Sequence, residues 1–222
     1  MTRRWLLGAL ALLVLLFRAD PGAARDPLWE LLPWNERLGV DWYVHRAERG
    51  DVQAQAIAGA MYERGIGTPV DLAKAKHWYE LAAGNGQPAA EFRLGALLSR
   101  ADPPDDAGAA HWYRAAAAAG IPQAAYNLAV FYEAGRGVAP DDAEAARLYE
   151  QAFRGGIARA ALNRGLLALR SSPPDAETAY LWLLRAREAG VAEATGLVAE
   201  IAPLLTDAQR ASAAAAAKMP PK

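Results

Sequence analysis

His77 and His111 stand 34 residues apart, and each precedes a Trp-Tyr pair, Trp78-Tyr79 and Trp112-Tyr113; a third pair lies at Trp42-Tyr43. Two histidines could share a metal ion, but a metal needs further ligands and no acidic residue recurs beside them. The chain has no cysteine, which removes disulfides, thiol nucleophiles and zinc-thiolate sites. The histidines are therefore read as helix-surface residues. The Trp-Tyr pairs could stack sugars or bases, yet their spacing follows a 34 to 36 residue period of the chain, so they are read as packing between repeats. Asp105-Asp106 and Asp141-Asp142 have the form of paired carboxylates for general acid-base work. An aspartate or asparagine recurs at that place in every period, where a helix start needs a cap, and capping is the reading adopted. No nucleophile-base pair appears at plausible spacing, so no catalytic, cofactor-binding or metal-binding residue is assigned.

The elements that must carry these residues are legible as a repeat. Residues 124–137 read as a helix closed by Gly135-x-Gly137, and 141–156 as an Asp-started second helix ending at Gly156. Seventy residues earlier Gly65, Gly67, Tyr62, Asp71, Tyr79 and Gly86 repeat the pattern. A half repeat spans 35–50, and full repeats span 51–86, 87–120, 121–156 and 157–190. The short repeats replace the Gly-x-Gly turn by Ala101-Asp102-Pro103-Pro104 and Ser171-Ser172-Pro173-Pro174. Caps are expected at Asn35, Asp71, Asp105, Asp141 and Asp175, with glycine stops at 50, 86, 120, 156 and 190. Residues 191–218 form a partial repeat broken at Pro203 and a last helix from Thr206-Asp207-Ala208-Gln209 that covers the end of the core, with a tail at 219–222.

Hydrophobic residues make up 53% of the chain, alanine above all, while valine, isoleucine and threonine are few; the expected class is all-α. A formal net charge of −1 with no long run of one sign argues against a nucleic-acid partner. At the N-terminus, basic Met1-Thr2-Arg3-Arg4 precedes an apolar run from Trp5 to Phe17, too short for a span of about 20 residues but suited to a secretory signal. Small residues at Gly22-Ala23-Ala24 predict a signal at 1–24, a mature start near Arg25, a lead over 25–34 and a periplasmic or secreted protein that meets a membrane only through this segment. An uncleaved anchor, giving a membrane-tethered scaffold, is the alternative.

The unit Ala-x-x-x-Leu-Gly-x-x-Tyr-x-x-Gly-x-Gly followed by Asp-x-x-x-Ala-x-x-Trp-Tyr-x-x-Ala-Ala-x-x-Gly is carried by Ala54, Gly59, Tyr62, Gly65, Gly67, Asp71, Ala75, Trp78, Tyr79, Ala82, Ala83 and Gly86. It resembles the Sel1-like repeat, a relative of the tetratricopeptide repeat, and the resemblance covers residues 35 to 200. It implies a right-handed α-solenoid of antiparallel helix pairs with a concave first-helix side, used as a scaffold for a protein or peptide partner. It carries no catalytic residue and no cofactor. By register, Phe92, Arg93, Gln123, Tyr126, Asn127, Asn163 and Arg170 point outward on that side, with Phe92 and Tyr126 as anchor residues beside arginines. Arg164 falls where Leu94 and Leu128 stand, a core position; either the fourth repeat is locally irregular or this arginine serves a pocket. The leading expectation is an exported, non-catalytic adaptor. An envelope enzyme or a binder of cell-wall material is the alternative.

Overall fold

The computed structural model describes residues 39–219; the signal at 1–24, the lead at 25–34, the cap at Asn35 and the last residues 220–222 lie outside them. Among the described residues there are eleven α-helices, one 3₁₀ turn and no strand. The chain divides after Asp141 into two compact units.

The first unit holds α1 (Val40–Ala47), α2 (Val52–Arg64), α3 (Leu72–Gly84), α4 (Pro88–Ser99), α5 (Asp106–Ala118) and α6 (Pro122–Ala134). Each helix packs on the next in sequence, and α2 also reaches α4. Local chemistry sets these boundaries. The Asp71 carboxylate accepts the Lys74 amide at 3.0 Å and Asp105 accepts that of Gly108 at 2.8 Å, which satisfies amides that have no partner inside the helix. Asp51 and Gln87 cap α2 and α4 in the same way. The helices α2 and α6 stop on Gly65 and Gly135, both left-handed at φ +71° and +66°, a backbone region costly for any residue with a Cβ.

Close approach between helices comes from glycines inside them. A Cβ on Gly59 would lie 2.6 Å from Cδ1 of Tyr79, and one on Gly95 would lie 2.9 Å from Cδ1 of Tyr113. The ring of a second-helix tyrosine thus rests on the bare backbone of the first helix. Tyr79 and Tyr113 are buried accordingly, as is Tyr43 on α1. Their tryptophan neighbours do not share one fate: Trp78 is buried and Trp112 half-buried, but Trp42 stays 41% exposed with the Arg46 guanidinium 5.0 Å from its ring. Packing between repeats therefore holds for the tyrosines and fails for Trp42, whose helix α1 is the first described and, among the described helices, packs mainly on α2. Asp106 is not a cap: its carboxylate accepts Nε of Arg136 at 3.1 Å, tying the turn after α6 back to the start of α5.

The second unit holds α7 (Asp142–Arg154), α8 (Ala158–Arg170), α9 (Ala176–Glu188), α10 (Glu193–Ile201), the 3₁₀ turn Ala202–Leu204 and α11 (Asp207–Ala217). Its centre is α9, which packs against α8, α10 and α11 and buries Trp182, Leu183 and Leu184. Asp175 caps α9 by accepting the Thr178 amide at 2.9 Å. At Pro203 the chain tightens into the 3₁₀ turn, and α11 opens on a Thr206–Gln209 capping box and buries Ala213 and Ala217. Arg185 on α9 donates through Nη2 to the carbonyls of Ala216 and Met219, both at 3.2 Å, and so satisfies the end of this last helix.

A polar seam on the first helices

Counting from Asp51, Gln87, Ile121 and Ile157, the seventh place of each repeat carries Ile57, Arg93, Asn127 and Asn163, and the thirteenth carries Glu63, Ser99, Glu133 and Leu169. In the first unit these places meet around the hydroxyls of the buried tyrosines. The Tyr79 hydroxyl donates to Oε2 of Glu63 at 2.8 Å. The other carboxylate oxygen of Glu63 lies 3.7 Å from Nη1 of Arg93 and 3.3 Å from Nη2 of Arg100. Burial first, and then the Glu63 charge, pushes the Tyr79 phenol far up, so it remains a donor. One repeat on, the Tyr113 hydroxyl lies 3.3 Å from Oγ of Ser99 and is hydrogen-bonded by Asn127; burial raises this phenol too, against both hydrogen bonds. In the second unit Asn163 on α8 donates through Nδ2 to the Tyr149 hydroxyl at 3.4 Å.

The residues expected to face outward separate into three kinds. Arg93, Asn127 and Asn163 occupy the seam and are half-buried. Gln123 is half-buried, while Arg170 is exposed with Nη2 at 3.9 Å from the Asp142 carboxylate. Phe92 and Tyr126 turn inward, contrary to the outward register. Tyr126 is 5% exposed, and Phe92 is half-buried with its ring 6.1 Å from that of Tyr113. The cause is their shared sixth place, which holds Ala56 and Leu162 in the other repeats, both buried. That uniformly apolar column was the available signal. Arg100 and Glu63, outward by the same register, are the charged centre of the seam; that they meet has no local signal, since only the fold brings residues 37 apart together.

Arg164 does not mark a local irregularity. The helix α8 runs without irregularity from Ala158 to Arg170. The guanidinium of Arg164 donates through Nε to Glu150 at 3.0 Å and lies 5.9 Å from the Trp182 ring centre. A charge at a core place is accommodated by pairing and by lying against an aromatic face. Among the described residues no cluster of His, Asp and Glu could hold a metal ion. His77 and His111 are exposed on α3 and α5, their rings against Trp78 and Trp112. No helix among the described residues is long and apolar enough to cross a membrane.

The Sel1 repeat family model matches residues 52–87, 88–121, 122–157 and 158–191. A chitin synthase regulator, SKT5, of Malassezia restricta is 39% identical over 67 residues, 30% of this chain and 5% of that protein. A putative sel1-like repeat-containing protein of Acanthamoeba polyphaga mimivirus is 46% identical over 50 residues, 22% of this chain and 9% of the relative. The chain thus spans only a small part of the length of these relatives. Among solved structures, a protective antigen of uropathogenic Escherichia coli displaying an SLR fold superposes over 95% of this chain and 44% of its own, with a TM-score of 0.67 at 24% identity. A Sel1 repeat protein from Oxalobacter formigenes does so over 81% and 76%, with a TM-score of 0.60 at 27% identity. Sel1 repeats generally mediate protein–protein interaction. With four matched repeats, an all-α fold of the SLR type and the glycine-tyrosine contacts between its helices, this chain belongs to the Sel1 repeat family.

Proposed function

We propose that this protein is a non-catalytic scaffold that binds a partner protein or an extended peptide along the first helices of its repeats, in the first unit along α2, α4 and α6. The observation that carries this reading is the seam: Arg93 and Asn127 stand at one repeat place, beside Glu63, Arg100 and Ser99, and their chemistry is that of hydrogen bonding and charge pairing. The second-helix tyrosines send their hydroxyls from the core to this seam, so polar groups of neighbouring repeats converge on the first helices. The repeat segment shared with a chitin synthase regulator suits a role exercised through a second protein. The test is photo-cross-linking in the native host from residue analogues at 93 and 127, the seam places on α4 and α6, against 77 and 111 on α3 and α5. The expected result is one protein captured from the first pair alone; capture from 77 and 111 alone would overturn the assignment of the face.

Basic Arg3 and Arg4 ahead of the apolar stretch Trp5 to Phe17 support export, with cleavage after Ala24. Intact-mass measurement of the protein recovered outside the cytoplasm should give a chain beginning at Arg25. A chain that keeps residues 1–24 and fractionates with membranes would favour the tethered form.

A further inference from the structure

We infer that Glu91 keeps its proton in the folded chain and donates it in a hydrogen bond to the carbonyl of Ala83, so that losing the proton loosens the junction between α3 and α4. Glu91 and Gln55 hold the same fifth place in successive repeats, and both are buried. At the earlier junction Gln55 donates through Nε2 to the Ala47 carbonyl at 3.2 Å, eight residues back at the end of α1. Carbonyls at a helix end have no partner inside the helix, so this side chain acts there as a cap. Eight residues before Glu91 stands Ala83, buried in the last turn of α3. The third and fourth repeats carry Ala125 and Ala161 at this place. A polar group is therefore not required there, but one that is present and buried needs a partner.

An ionised glutamate only accepts, whereas the neutral acid has the shape of glutamine and one O–H to give. Oε2 of Glu91 is buried and receives no hydrogen bond. A carboxylate without donors is costly to bury, and taking up a proton removes that cost. The start of α4 offers the anion little, because Gln87 already holds the amides of Ala89 and Ala90 at 2.7 and 3.0 Å. Of the helices packed on α4, α5 presents His111, whose charge favours the anion. The end of α3 brings Ala82, Ala83 and Gly84, none of which titrates, and among the described residues no charge on α2 acts on this carboxyl. Burial pushes the carboxyl up against the pull of His111. The junction is thus strongest below the ordinary carboxyl range and weakens as pH rises through the value of Glu91 itself. The helix α4 also carries Arg93 and Ser99 of the seam, so the proton governs the order of a helix that the partner is proposed to meet; the switch itself does not depend on that reading.

The test is carboxyl-carbon NMR on the full-length chain labelled at glutamate Cδ, paired with amide exchange across α4. The signal absent from Glu91→Gln identifies Glu91, and it should titrate above the ordinary glutamate value of about 4.3. Protection in the first turns of α4, corrected for intrinsic exchange, should fall by up to about tenfold per pH unit between that value and the observed midpoint. Glu91→Gln, which keeps a donor at every pH, should hold its protection across the same range. Glu91→Met, of similar bulk but without a donor, should be less protected than Glu91→Gln even in acid; a side chain that only fills space would give the two variants the same protection. A Glu91 midpoint at or below the ordinary value would overturn the inference. So would a loss of protection with pH that Glu91→Gln shares, or equal protection in the glutamine and methionine variants.

Discussion

Tyr79 in the first unit and Leu183 in the second occupy the same place in their repeats, and each lies on a first-helix glycine. A Cβ on Gly59 would come within 2.6 Å of Tyr79, and one on Gly165 within 2.9 Å of Cγ of Leu183. Both side chains are fully buried. What differs is the far end. Tyr79 carries a hydroxyl to Glu63, whereas Leu183 carries none, and the place of Glu63 is taken by Leu169, 8% exposed. The glycine contact is thus what both hairpins share, and the polar seam is an addition present only where a tyrosine brings a hydroxyl to it. In the second unit buried charge sits elsewhere: Arg185 lies 4.5 Å and Arg164 5.9 Å from the Trp182 ring centre. There the arginines serve the end of α11 and the pairing with Glu150.

The strongest way to break this comparison is at Trp182, whose ring meets Phe153 edge-on at 5.7 Å as well as the two arginines. Trp182→Ala should cost about 3–5 kcal/mol in urea unfolding; a cost below about 1 kcal/mol would show that it is not the centre of its unit. In the first unit, Tyr79→Phe takes the donor from Oε2 of a poorly exposed carboxylate and should cost about 1.5–3 kcal/mol, since hydrogen bonds to charged groups exceed neutral ones. Tyr113→Phe, which loses only neutral partners, should cost about 1 kcal/mol. Equal costs would remove the distinction between the charged and neutral parts of the seam.

Arg185→Met should act locally. Its Nε is buried without a hydrogen-bond partner, so removing the charge relieves as well as harms, and the net change in global stability should lie within about 1 kcal/mol. Amide exchange near Ala213 and Ala217 should nevertheless quicken while that of α2 to α5 is unchanged. The smallest effect is at Glu91, 8% exposed on α4, with Oε2 buried and unbonded and its carboxyl pushed up by burial against the pull of His111. A folded carboxyl held above its ordinary range favours folding at pH below that range, and the benefit is lost as pH rises through the folded value. Glu91→Gln should therefore raise the thermal midpoint near neutral pH by a few degrees at most and leave it unchanged near pH 4. A gain that persists undiminished in acid would remove Glu91 titration as the cause.

The sequence by itself determined the hairpins. Caps, proline entries and left-handed glycines act within four or five residues, so Asp71, Asp105, Asp175, Gly65 and Gly135 could be read directly. The apolar column at place six was equally present in the chain, and reading Phe92 and Tyr126 as outward set one helix register above the whole set of repeats. Tertiary structure alone decided the seam's charges and the fate of Arg164. Glu63 and Arg100 are 37 residues apart and Arg164 and Glu150 are 14 apart; each pair forms only because the fold lays two helices side by side. A polar residue on a helix face has the same local signature whether a carboxylate, a hydroxyl or water stands opposite. Which of these it meets is fixed by the packing of the next helix.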